Sequence, residues 1–172
     1  MAASQVRQNF HAECEEAINK QINMELYAFY TYMSMAYYFD RDDVALEGFT
    51  KFFKHASDEE KEHATKLMTY LNKRGGKVVF APIASPATNN WECAEKAVEA
   101  SLQLERDVNT SLLNLHALAS SHGDANLCDF LETEYLQEQV DSIKSFGDLL
   151  TNVRRVKEGL GIYMLDKQLH SS

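Results

Sequence analysis

Four stretches of this chain repeat apolar residues at alternating steps of three and four, and each is interrupted near its middle by a residue foreign to a core. Ile18, Ile22, Glu25, Phe29, Tyr32 and Ala36 form one such row, and Phe49, Phe52, Ala56, Glu60, His63, Leu67 and Tyr70 a second. Val98, Leu102, Glu105, Val108, Leu112 and Leu115 make a third. Leu131, Tyr135, Gln139, Ser142, Phe146, Leu149 and Val153 make a fourth. Such steps keep a row on one face of an α-helix, the face that packs inward. An isolated carboxylate there costs several kcal/mol, so buried charges are expected to be paired or to hold a cation. Glu25, Glu60, His63 and Glu105, at matched depth in three rows, therefore point to a metal site.

The breakers support long helices. Only 7 Gly and 2 Pro occur in 172 residues, and both prolines, Pro82 and Pro86, lie in the stretch 75–91, which has no helical period. Asp40-Arg41-Asp42-Asp43 separates the first two rows, Arg74-Gly75-Gly76 closes the second, Ser121-His122-Gly123-Asp124 divides the third from the fourth, and Gly159 ends the fourth. These signals predict helices over 9–38, 47–74, 92–121 and 125–157, with a short fifth at 160–169. A connection as long as 75–91 can run the length of a bundle and join two parallel helices. The expected architecture is all-α: a single domain over 1–172, a four-helix bundle with one long crossover and a short C-terminal helix. Leu160-Gly161-Ile162-Tyr163-Met164-Leu165 and Leu169 are apolar on most sides, and the four-helix core is already closed. The fifth segment is therefore expected to bury itself on another chain as an oligomerisation element.

A net charge of −9 argues against nucleic acid or anionic membrane as partner and favours cations. Cys14, Cys93 and Cys128 are an odd number without metal-type pair spacing, as expected of free thiols in a reducing compartment. The N-terminal MAASQVRQNF lacks the basic and apolar regions of a signal peptide, and the apolar run 27–39 is too short to span a bilayer. A cytoplasmic protein is expected.

Glu60 and His63 are three apart, which sets a carboxylate oxygen beside an imidazole nitrogen on one helical face. Alone, the run Asp58-Glu59-Glu60-Lys61-Glu62-His63 reads more readily as a solvated charged face. With Glu25 and Glu105 it becomes a carboxylate-rich donor set with one imidazole, which suits iron or manganese better than structural zinc. Helical bundles hold di-iron centres with one Glu from each of two helices and a Glu-x-x-His from each of the others. Three of those four elements are present, while the fourth helix offers Gln139-Val140-Asp141-Ser142. Two metal positions are expected, the second weaker. Tyr32, seven residues after Glu25 on the same face, is placed to donate a hydrogen bond to a ligand.

Asp58-Glu59-Glu60-Lys61-Glu62-His63-Ala64, Arg74-Gly75-Gly76, Leu104-Glu105-Arg106-Asp107-Val108-Asn109, Leu127-Cys128-Asp129-Phe130-Leu131-Glu132-Thr133 and Glu138-Gln139-Val140 together resemble eukaryotic ferritins of the heavy-chain type, over residues 5–169. The resemblance implies that Glu25, Glu60, His63, Glu105 and Gln139 are ferroxidase ligands for two iron ions, with Tyr32 beside them. Fe2+ would be oxidised by O2 and stored as ferric mineral. It also implies a shell of twenty-four subunits, with co-assembly with other ferritin chains compatible with it. Asp129 and Glu132, which in isolation would pass for plain surface acids, would line three-fold channels, with Cys128 and His116 near the entrance. Glu59 and Glu62 match acids of the inner surface linked to mineral nucleation or iron transit. Leu160, Met164 and Gln168 match residues facing the four-fold axis, where many heavy chains carry a histidine in place of Gln168.

Overall fold

The computed structural model describes residues 3–172. Its helices are α1 (Ala12–Phe39), α2 (Glu47–Lys73), α3 (Ala94–Ser121), α4 (residues 125–156) and α5 (Leu160–Ser171); no strand occurs among the described residues. α1 pairs with α2, α3 pairs with α4, and α1 packs on α3, closing a four-helix bundle around one apolar core. Among the described residues no helix is long and apolar enough to cross a membrane.

The starts of α1 and α3 fall later than the periodicity predicts, and the backbone shows why. Asn9 and Glu92 adopt positive φ, 48° and 63°, so neither continues a right-handed helix. His11 instead becomes the N-cap of α1, its ring accepting a hydrogen bond from the Glu13 N–H, and Cys93 takes the N-cap position of α3. The buried seams are wider than single rows. Phe29, Phe52 and Leu102 are only half-buried, while Ala28, Phe53 and Leu104 beside them are buried, as a stripe about 100° wide requires.

α4 is not one regular helix. Ala125–Leu131 and Gln137–Val156 are joined by a π-helical turn, Glu132–Leu136. Leu131, Tyr135 and Gln139, which bracket or lie within this wider turn, are all buried.

The crossover lies along α1, held by polar side chains one turn apart on its outer face. Glu15 Oε1 accepts the Lys77 N–H at 2.9 Å, Asn19 exchanges two bonds with Lys77 O and the Val79 N–H, and Asn23 Nδ2 donates to Ala81 O and Pro82 O. At the far end Trp91 is buried, with Nε1 donating to Ser34 Oγ at 3.1 Å.

The fifth helix packs one face on its own chain and leaves another exposed. Leu46, the N-cap of α2, offers no side-chain bond, and the buried Asp166 supplies it: Oδ1 accepts the Phe49 N–H at 3.0 Å. An acid at a helix N-terminus also meets the positive end of the helix dipole. The approach is close enough that a methyl group on Gly48 would lie 1.9 Å from the Asp166 carbonyl oxygen. Ile162 and Leu165 are buried against this junction, whereas Leu160, Tyr163 and Met164 remain exposed.

Candidate metal centre

Midway along the bundle the interrupting residues turn inward as their spacing predicts. Glu25 is 0% exposed, Glu60 4%, His63 6%, Glu105 2% and Gln139 2%. Glu25, Glu60 and His63 each offer a ligand atom, and these atoms lie within 4.8 Å of one another. Glu105 stands outside that triple with both oxygens engaged: Tyr32 OH donates to Oε1 at 2.5 Å and Gln139 Nε2 to Oε2 at 2.9 Å. Tyr32 therefore orients the acid across the bundle and not Glu25 on its own helix. Gln139 Nε2 also donates to Glu105 O, which leaves its carbonyl oxygen as the atom able to face a cation.

The electrostatics describe a site short of positive charge. Burial, reinforced by Glu60, holds the Glu25 carboxyl well above the usual carboxylate range. Burial and the nearby Glu105 push Glu60 up to about 8, and burial raises Glu105. Tyr32 is raised by burial and then by Glu105. One oxygen of Glu25 accepts from Gln21 Nε2 at 2.7 Å; the other, Oε2, has no hydrogen-bond partner. A buried carboxylate oxygen left unsatisfied is costly, and a cation bound there would satisfy it while lowering all three carboxyls together. The donor set fits a hard, octahedrally inclined ion such as Fe2+ or Fe3+.

His63 is poised for the same task. Its Nε2 lies 3.1 Å from Glu138 Oε1, and its Nδ1 lies 3.4 Å from Glu60 Oε2. A carboxylate only accepts, so Glu138 favours the proton on Nε2 and leaves the Nδ1 lone pair aimed at the acids. Tyr135 OH donates to the His63 carbonyl at 2.6 Å, which fixes the backbone at that point.

Two aromatic groups flank the centre. Tyr32, Phe39, Phe49, Phe53 and Phe146 stack on the α5 side, and Tyr70, Phe130 and Tyr135 on the other. Between α2 and α4 a cleft of about 330 Å³ opens onto Glu60, His63, Glu105 and Gln139, walled by His55, Glu59, Glu138, Asp141 and Ser142. Ser142, at the position where a second imidazole would stand, lies on this wall.

Sequence reasoning missed Glu138, Gln21 and Tyr135. Glu138 and Gln21 precede or follow inward positions and resemble surface residues by period, while Tyr135 passes for an ordinary core ring. The signal available for Gln21 was its step of four before Glu25.

Of the remaining predicted residues, Glu59 lines the cleft and the others lie apart from this centre. His116 Nε2 is 2.7 Å from Glu132 Oε1, and Cys128 Sγ donates to the His116 carbonyl at 3.8 Å, so these three form one cluster near the start of α4 with Asp129 exposed beside them. Glu59 lies 3.3 Å from His55 Nε2, and Glu62 lies 3.6 Å from Lys66 Nζ; both acids are exposed. Leu160, Met164 and Gln168 share an exposed face of α5. Cys14, Cys93 and Cys128 are all free.

A family profile described as ferritin-like domain matches residues 15–156, which run from the first turn of α1 to the end of α4. Over 172 residues the sequence is 60% identical to a soma ferritin of Lymnaea stagnalis, covering 100% of this chain and 99% of that protein.

Proposed function

The chain belongs to the ferritin family, and from that membership we propose that it stores iron as a ferroxidase-active, heavy-chain-type subunit. Fe2+ is the substrate. Glu25, Glu60, His63, Glu105 and the Gln139 carbonyl hold two ions between the helices, the one at Gln139 more weakly because an amide carries no charge. Two Fe2+ supply the two electrons that take O2 to hydrogen peroxide, and anionic oxygens favour the Fe3+ formed. The product leaves through the Glu59 side of the cleft and hydrolyses to mineral inside a shell of twenty-four subunits, in the cytoplasm, with Glu59 and Glu62 assisting transit or nucleation. Leu160, Met164 and Gln168 meet their symmetry mates around the four-fold axis, and co-assembly with other ferritin chains fits the same contacts.

The observation that carries this reading is the buried convergence of Glu25, Glu60 and His63, with one Glu25 oxygen unsatisfied. The test is oxygen uptake on adding Fe2+ to the purified homopolymer. Rapid consumption near one O2 for every two Fe2+ is expected at low iron loading. Oxidation no faster than in buffer would reduce the role to a mineral-holding chain that depends on another subunit.

Access to the site is assigned to the cluster of His116, Cys128, Asp129 and Glu132, whose acids would form a ring of negative charge around a three-fold channel. Asp129→Ala with Glu132→Ala should slow oxidation of externally added Fe2+ by roughly tenfold, while the assembled mass stays constant. Stopped-flow rates identical to the parent would remove that role.

A further inference from the structure

A second convergence of metal-ligating side chains lies at the opposite end of α1 from the crossover's Trp91. His11, Glu13 and His122 bring one donor atom each within 4.8 Å of one another. Glu13 Oε2 lies 2.6 Å from His122 Nε2 and 3.9 Å from His11 Nδ1, and the two imidazoles stack with centroids 3.7 Å apart and planes 12° from parallel. Glu13 is twelve residues before Glu25, about 18 Å along the helix, so this is not part of the bundle centre.

From this geometry we infer a divalent transition-metal site, of Zn2+ type, held by His11, Glu13 and His122. Two imidazoles and one carboxylate are a donor set for zinc, with the fourth tetrahedral position left to water. Metal–donor distances near 2.0–2.2 Å place ligand atoms roughly 3.3–3.5 Å from each other, midway between the separations observed. The two rings must also rotate out of their stack so that both in-plane lone pairs converge on the ion, and the side chains have room to do so, since His11 and Glu13 are about half-exposed and His122 is a quarter exposed. Coordination through His11 Nδ1 replaces the bond it now accepts from the Glu13 N–H.

The backbone beneath the cluster is anchored before any ion arrives. Asn9 Nδ2 donates to the Gly123 carbonyl at 3.2 Å, and Arg74 Nη2 donates to the Asn9 carbonyl at 2.9 Å while pairing with Asp124. The segment carrying His11 and the turn carrying His122 are thus tied together next to the ligands, the preorganisation a three-residue site requires. A bound ion would clamp the start of α1 to the α3–α4 turn.

The test uses the assembled full-length protein with Zn2+ as probe. Crystals grown with micromolar free zinc should show an anomalous-scattering peak between His11, Glu13 and His122. His122→Ala should lose that peak, lower bound zinc in equilibrium dialysis by one per chain, and keep the zinc bound at Glu25, Glu60 and His63. Glu13→Gln, which keeps the shape of the side chain, should weaken binding at this cluster by at least roughly tenfold. A peak appearing only at millimolar zinc, or zinc content unchanged in His122→Ala, overturns the site.

Discussion

Replacing Glu60 with Gln should abolish the rapid phase of Fe2+ oxidation, slowing it by at least about 100-fold, and at the same time raise the thermal stability of the metal-free protein. Both effects have one origin. Glu60 is buried beside Glu25 and Glu105, so in the metal-free protein its charge is a cost that becomes useful only when iron arrives. Its carboxyl is raised from 4.5 to about 8, so the folded protein holds a proton that the unfolded chain releases. The stability tied to this group is complete below the unfolded value and is lost as pH rises through the folded one. The advantage of Glu60→Gln over the parent should therefore widen between about pH 4.5 and about 8 and level off beyond. Calorimetry across that range, beside stopped-flow oxidation at neutral pH, checks both halves. Gly at position 63 should cost oxidation similarly without the gain, because His63 already has Glu138 as partner. Parent-like oxidation in both variants would sink the site.

Asp124→Ala should lower stability by about 3–5 kcal/mol, or roughly 10 °C in melting temperature, through a different mechanism. Arg74 makes a two-pronged pair with Asp124, at 3.0 and 3.1 Å, while donating to Tyr70 OH and to the Asn9 carbonyl. It also lies over the rings of Phe10 and Tyr70. Asp124 is 1% exposed and caps α4 by accepting the Leu127 N–H at 3.0 Å. Its loss leaves a largely buried guanidinium unpaired and removes a cap worth about 1 kcal/mol. Arg74→Met combined with Asp124→Leu should recover most of the loss, since no orphaned charge then remains. Denaturant midpoints decide: a loss below about 1 kcal/mol in Asp124→Ala contradicts the role of the pair.

Periodicity located the inward acids because burial is a property of a single helix face, and Glu25, Glu60, His63 and Glu105 all obey it. What escaped it depends on two helices at once. Glu138 reaches His63 from a half-exposed position on α4, and Tyr32 engages an acid on α3 and not the one on its own row. Asp166 sits in a short polar stretch near the C-terminus, and nothing in the order of residues marks it as the cap of a helix more than a hundred positions earlier. The π turn left no trace in the spacing, since steps of four also occur in the regular helices α1 and α2.

The crossover's attachment to α1 bears on the order in which the chain acquires its shape. Every bond it makes through Glu15, Asn19 and Asn23 is to a helix synthesised before it, and α1 and α2 are neighbours in sequence with few residues to close between them. The first hairpin can thus form as a template while the ribosome still holds the second. The connection then lies down along a surface already in place and delivers α3 to the correct end. The crossover's course along the first hairpin, held by three polar side chains and by Trp91 at its far end, leads to the end of the bundle at which α3 begins.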